Sequence, residues 1–308
     1  MKNFSVTNFF ILFCFFCLLS SCKKSDDSKT EKETILNGSV TILVDETIKP
    51  IVEDQVEVFE SIYPAKILMD VKSEKEVVRS LINDSSSIAV LSRKLTVAEH
   101  KIFDNKKIIP KITFFATDGI ALISNKKNKD TLIALTDIIA FMKGTPQKHI
   151  KGLIFDNPNS STVRFMNDLA GLKETPDKGI FSFKTNEEVI KFVSENEGMI
   201  GVVGLNWLYQ PTGNMKQIVK ELQVLSVKST TGNEFYPPSQ NNIAEGKYPL
   251  ARDLFIINCQ GSSGLGMGFA SFVAGEQGQR IVLKSGLLPF RTPSRQIKVR
   301  KEINNDKK

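Results

Sequence analysis

The most constraining feature of this chain is a local pattern that repeats: a short apolar run, a polar turn, then an amphipathic helix opening on a capping residue. It appears first at residues 40–44, which lead through Asp45-Glu46-Thr47 into a helix with Pro50 near its first position and apolar residues at Val52, Val56, Phe59 and Ile62. It recurs at 66–71, followed by the capping box Ser73-Glu74-Lys75-Glu76 and the apolar face Val77, Val78, Leu81 and Ile82. A third copy runs from 88–91 through Ser92-Arg93 to the cap Thr96-Val97-Ala98-Glu99. A fourth leads from 152–155 through Asp156 to Ser160-Ser161-Thr162 and a helix bearing Val163, Met166 and Leu169. Strands alternating with helices on this pitch imply parallel α/β layering.

The remaining elements fit two domains, as does a length of 308 residues. Apolar residues at 41% and charged residues at 24% are those of a globular protein with a proper core. Two apolar runs, 111–116 and 119–124, flank Thr117-Asp118 and are read as the crossing into the second domain. A helix over 135–142 ends at Gly144. Thr185-Asn186-Glu187-Glu188 reads as another capping box, and the glycines of the strand at 199–204 suggest close backbone approach. Residues 219–227 read as the last strand of the second domain, and the irregular stretch 236–249 as the return to the first. Strand 253–258 and two closing helices finish the fold. Gly264, Gly266 and Gly268 miss both the phosphate-loop spacing and the GxGxxG pattern.

The ends of the chain carry addresses rather than core. A positive start, an unbroken apolar run at 9–19 and the small residues Ser20-Ser21 precede Cys22. The run is too short to cross a bilayer comfortably, and Leu19-Ser20-Ser21-Cys22 resembles the bacterial lipobox, in which the cysteine is lipidated. Residues 1–21 are therefore read as a lipoprotein signal peptide and 22–37 as a disordered tether. Cys259 is then alone in the body and can form no internal disulfide. Much of the net charge of +7 sits near the ends, including a basic tail at 296–308. No basic stripe interleaved with aromatics marks the body, so no nucleic-acid partner is expected.

Chemistry concentrates at the helix mouths. Ser160, Ser161 and Thr162 offer hydroxyls and free backbone N–H groups at the positive end of a helix dipole, which makes an anion seat. Ordinary N-capping uses the same residues. Catalysis is not expected: the only histidines, His100 and His149, lie beside no plausible partner, and neither HExxH nor GxSxG occurs. No metal site and no cofactor are expected.

The order of these pieces resembles the substrate-binding proteins of bacterial ABC importers, most closely the phosphate-binding, PstS-like branch. The matching phrases include Thr47-Ile48-Lys49-Pro50, Tyr63-Pro64, the stretch from Ile88 to Arg93, and Asp118-Gly119-Ile120. Ser160-Ser161-Thr162, Tyr248-Pro249-Leu250-Ala251-Arg252, and Gln279 with Gly286 to Pro289 complete the series. The resemblance implies a type II periplasmic-binding-protein fold, with two α/β domains joined by two crossing segments around a ligand cleft. Domain I would comprise 38–116 with 240–295, and domain II 117–239. Contributors to the cleft would be Thr47, Ser92, Arg93, Ser160, Ser161 and Thr162, and bonds from Arg93 would be the strongest single contacts if its guanidinium turned inward. The chain departs from the family where Asp45 and Glu46 fill a turn that is usually small, and where Asp156 stands in place of an arginine. The expected partners are phosphate or a similar oxyanion, an ABC permease, and the membrane through Cys22, with the protein a monomer outside the cytoplasmic membrane, on its periplasmic side or at the outer membrane. An envelope lipoprotein used for sensing or assembly, or a different ligand, are the alternatives.

Overall fold

The computed structural model describes residues 33–294, apart from 84–86, 210, 212 and 262. The signal peptide at 1–21, Cys22 and the tail at 296–308 lie outside the described residues.

In the first half of the chain, β1 (Gly38–Asp45) pairs in parallel with both β2 (Ala65–Lys72) and β3 (Ile88–Leu91). Parallel neighbours need crossovers. Helix α1 (Lys49–Ile62) returns the chain from β1 to β2, and α2 (Glu74–Ile82) returns it from β2 to β3. Helix α3 (Val97–Asn105) follows, capped by Thr96 and Glu99 as the pattern predicts. Because side chains alternate along a strand, β1 serves two cores. Ile42 and Val44 pack with Ile51, Phe59 and Phe269 on one face, while Leu43 packs with Val77, Leu81 and Phe103 on the other.

The two apolar runs flanking Thr117-Asp118 are one strand, β4 (Lys111–Asn125). They are not separated because the polar pair stays inside the ladder, opposite Asp253 and Arg252. Thr117 Oγ1 donates to Asp253 at 2.8 Å, and Asp118 accepts from Arg252, so neither side chain forces a break.

The second half supplies β5 (Leu132–Ala134), α4 (Leu135–Met142), β6 (Gly152–Phe155), α5 (Ser161–Ala170), β7 (Ile180–Ser182), α6 (Asn186–Glu195) and β8 (Met199–Gly204). Residues 219–227 are not a single strand. The helix Met215–Lys220 leads into β9 (Leu222–Val224) and β10 (Ser226–Lys228). They part at the buried Leu225 because β9 joins β4 whereas β10 joins β5 and β11 (Phe235–Tyr236). Strands β12 (Ala251–Asn258) and β13 (Leu288–Pro289) return to the first half.

The main sheet runs β2-β1-β3-β12-β4-β8-β6-β7. Strand β4 pairs with β12 over its first part and with β8 over Ile120–Ile123, so it passes from one lobe into the other. The cores divide accordingly. One is built from residues such as Ile120, Leu153, Val163, Val189 and Val202, and the others draw on segments before Gly119 and after Arg252. Ile243, Tyr248 and Leu250 pack with the Ile120 core, whereas Leu254 packs with the Ile42 core.

The stretch read as tether has a docked end. Gly264 has no side chain to cap the helix Leu265–Ala274, and Glu33 does so instead, its Oε1 accepting from the Leu265 N–H at 2.7 Å. Gly268 permits this approach, since an added Cβ would lie 1.6 Å from the Ile35 carbonyl oxygen. Gly268→Ala is therefore expected to release residues 33–37 and lower the melting temperature by roughly 3 °C or more. Faster proteolysis near Ile35 in the variant is the direct readout; cleavage at the wild-type rate would show that the docking is not needed.

Candidate functional site

Two helix mouths face each other across the lobe boundary. At the first, β1 ends at Asp45, whose Oδ1 accepts from the Thr47 N–H at 3.3 Å and caps the short 3-10 turn that starts α1. At the second, β6 delivers Asp156, and Ser160 N-caps α5 by accepting from the Val163 N–H at 3.2 Å. Asp45, Thr47, Asp156, Ser160, Ser161 and Thr162 are all buried.

The mouths meet at Asp156. Ser160 Oγ donates to its Oδ1 at 2.5 Å, and Thr47 Oγ1 and Asn186 Nδ2 each donate to its Oδ2 at 3.1 Å. Thr162 Oγ1 lies 3.5 Å from Thr47 Oγ1. Asn186, the first residue of α6, also donates from its backbone N–H and Nδ2 to Glu46, at 3.2 and 2.7 Å. Trp207 Nε1 and Asn206 Nδ2 donate to the Thr47 carbonyl at 2.9 and 3.3 Å. Gly204 allows this crowding, because a Cβ there would lie 2.8 Å from the same carbonyl oxygen. The close approach read from the glycines of β8 is located here.

The cluster's cation is Arg252, not Arg93. Arg252 Nη1 donates to Ser161 Oγ at 2.8 Å, and Nη2 donates to Asp118 at 3.1 Å. Both members of that ion pair are buried, and they face each other in the β12–β4 ladder. The expectation for Arg93 is corrected. Its fork is held by Glu99, Nη1 at 2.7 Å and Nη2 at 2.9 Å, while its Nε donates to Glu74 at 3.1 Å. A guanidinium satisfied on three sides by its own lobe has no reason to turn inward. Ser92 Oγ donates to Glu74 at 3.2 Å and accepts from Arg164 Nη2 of the other lobe at 3.4 Å, so it stands at the lobe boundary beside the cluster rather than in it. Glu74 also accepts from Arg164 Nε at 2.6 Å, which makes a second bridge between the lobes.

Of the residues singled out in the sequence, Asp45, Glu46, Thr47, Asp156, Ser160, Ser161 and Thr162 come together, while Ser92 and Arg93 gather on Glu74 at the second bridge, beside the groove that Ser160 and Arg164 line. Sequence reasoning assigned no site role to Arg252, Asp118, Asn186 or Glu74. Asn186 and Glu74 looked like capping residues, and nothing local marks Arg252 or Asp118 as a pair.

The carboxyls are electrically out of balance. Burial, with Glu74 nearby, pushes Asp45 up to about 7. Burial and the neighbouring Asp156 push Glu46 up to about 8. Burial raises Asp156 to about 6 despite the hydrogen bonds from Ser160 and Thr47. Asn186 Oδ1 and Asn206 Oδ1 are buried acceptors without a hydrogen-bond partner among the described residues, while the Asp45 carboxyl faces the Ser161 hydroxyl and the Asp118 carboxyl the backbone N–H groups of Gly119 and Leu205. The cluster thus pairs hydroxyl and guanidinium donors with spare acceptors. Grooves of ≈ 460 and ≈ 430 Å³ open on either side of it, one beside Ser160 and Arg164, the other beside Glu46 and Trp207.

The chain thus forms two α/β lobes spanned by shared strands, with a polar cluster buried between them. Residues 28–277 match the PBP superfamily domain, and the chain belongs to that superfamily. Phosphate-binding protein PstS of Pseudomonas aeruginosa is 22% identical over 286 residues, covering 84% of this chain and 85% of that protein. Phosphate-binding protein PstS 2 of Streptococcus pneumoniae is 26% identical over 177 residues, 58% of this chain. That match spans 47% of the pneumococcal protein, about half its length. A substrate-binding protein of Clostridium perfringens solved with bound phosphate shares the fold, with a TM-score of 0.68 at 21% identity over 82% of this chain and 100% of that one.

A carboxyl raised in the folded state binds more protons there than in the unfolded chain. Its stabilising contribution is complete below about pH 4 and disappears as pH rises through the folded values. With Asp156 at about 6, Asp45 at about 7 and Glu46 at about 8, the loss spans that interval. The melting temperature is expected to fall by roughly 5 °C or more between about pH 5 and about pH 8.5. Glu46→Gln should flatten the alkaline end of that fall; a profile level in wild type would show that these carboxyls are not raised.

Proposed function

We propose that this chain is the substrate-binding protein of an ABC importer and captures phosphate or a closely related oxyanion between its lobes. The observation that carries the reading is the convergence of Thr47, Ser160, Ser161 and Arg252 from both lobes on one buried cluster. Helix mouths and a guanidinium are the groups that hold oxyanions. The spare acceptors favour a ligand that still carries a proton, so hydrogen phosphate fits this cluster better than sulfate, which has no proton to donate at neutral pH. The names of the curated relatives support the same class of ligand.

The lobes of this reading are 38–116 with 240–295, and 117–239, joined by β4 and β12. The packing of Ile243, Tyr248 and Leu250 favours moving the second boundary to 250–254. Ligand contacts from both lobes would favour the closed arrangement, which a permease recognises. Lipidation at Cys22 would hold the protein, as a monomer, outside the cytoplasmic membrane. A second reading, an envelope lipoprotein for another ligand, is favoured by the excess of acids around Arg252.

Titration calorimetry with phosphate, sulfate and phosphate esters separates these readings. Phosphate is expected to bind, sulfate at least about tenfold more weakly, and Ser161→Ala to weaken phosphate by about tenfold or more. Binding of none of them would sink the oxyanion reading. Cys22→Ser is expected to move the protein from the membrane to the soluble fraction, and a variant that stays membrane-bound would count against the lipid anchor.

A further inference from the structure

The Asp156 carboxylate has the contacts that an oxyanion would make at this seat. It is fully buried, and it receives the N-cap hydroxyl of α5, the first side chain of α6 and the hydroxyl of the turn before α1. Ser160 takes one oxygen, and Thr47 and Asn186 share the other. These donors come from both lobes, and the two second-lobe donors sit where helix dipoles favour negative charge. The remaining charged groups around it are Asp45 and Glu46 at the end of β1 and Arg252 on β12. Arg252 is not spent on Asp156, since its hydrogen bonds go to Asp118 and Ser161. Asn186 Oδ1 stays a buried acceptor without a partner among the described residues, and the Asp45 carboxyl faces the Ser161 hydroxyl. The seat therefore already holds one carboxylate, on the hydroxyl and amide donors that a second anion would need.

We propose that the Asp156 carboxylate is a resident anion: it fills the seat made by Thr47, Ser160 and Asn186, and an external oxyanion must displace it to bind. The inference rests on the oxyanion reading and sharpens it. It makes Asp156 a competitor rather than a ligand contact, so removing the side chain should improve binding. Replacing it with an amide should improve binding less, because the amide oxygen still accepts from the same donors. It also makes the Ser160 hydroxyl nearly silent in wild type and important once Asp156 is gone.

The test is phosphate affinity by calorimetry near neutral pH for wild type, Asp156→Ala, Asp156→Asn, Ser160→Ala and the Asp156→Ala/Ser160→Ala double variant. Asp156→Ala is expected to bind at least about tenfold tighter than wild type and Asp156→Asn by an intermediate factor. Ser160→Ala should then cost about tenfold in the Asp156→Ala background and little in wild type. Binding by wild type that Asp156→Ala and Asp156→Asn leave unchanged or weaken would overturn the inference while leaving the oxyanion reading intact. Binding by no form would overturn both. Circular dichroism identifies a misfolded variant, and the isosteric Asp156→Asn then decides the direction by itself.

Discussion

The arrangement depends on one cross-strand contact, the buried Asp118–Arg252 pair in the β4–β12 ladder. These two strands are where the chain passes between the lobes, so whatever sits in their register sits at the lobe boundary. Buried ion pairs are poor stabilisers in themselves, because desolvating two charges offsets much of their attraction. What this pair does is positional. Asp118 holds the guanidinium from one side, and its free edge reaches Ser161 at the mouth of α5. The same contact explains why β4 runs unbroken through two polar residues.

Around that cation the charges are unbalanced, and the fold compensates with dipoles rather than with counter-ions. Asp156 is stabilised by two hydroxyls and an amide, and Glu46 by the backbone and side chain of Asn186. Neutral donors can hold a buried carboxylate only in part, which is why these groups keep their protons to higher pH than an exposed acid does. A site tuned in this way is sensitive to proton concentration and to the charge of whatever enters it.

The legible parts of the fold were the local ones. Ser73, Thr96, Ser160 and Thr185 each precede a helix because a capping side chain acts within a few residues of itself. The strand–turn–helix repeats gave the parallel layering for the same reason. The errors came where distant partners decided the outcome. Thr117 and Asp118 look like a break until β12 is laid beside them, and residues 219–227 look like one strand until β4 and β5 compete for its two ends. Arg93 looked like a ligand-facing cation because Ser92-Arg93 closes a strand in the right place, yet Glu74 and Glu99 hold it.

By itself the sequence determined the class of fold, the positions of both helix mouths and the presence of hydroxyls and acids in them. All of these follow from periodicity and capping, which are short-range. Only the tertiary structure decided that Arg252, rather than Arg93, is the cluster's cation, and that Asp156 draws donors from both lobes. Those outcomes depend on strand register and on burial, which raises the free-energy cost of every unpaired charge. Neither register across 134 residues, the separation of Asp118 and Arg252, nor the dielectric around a carboxyl is written in any local stretch of the chain.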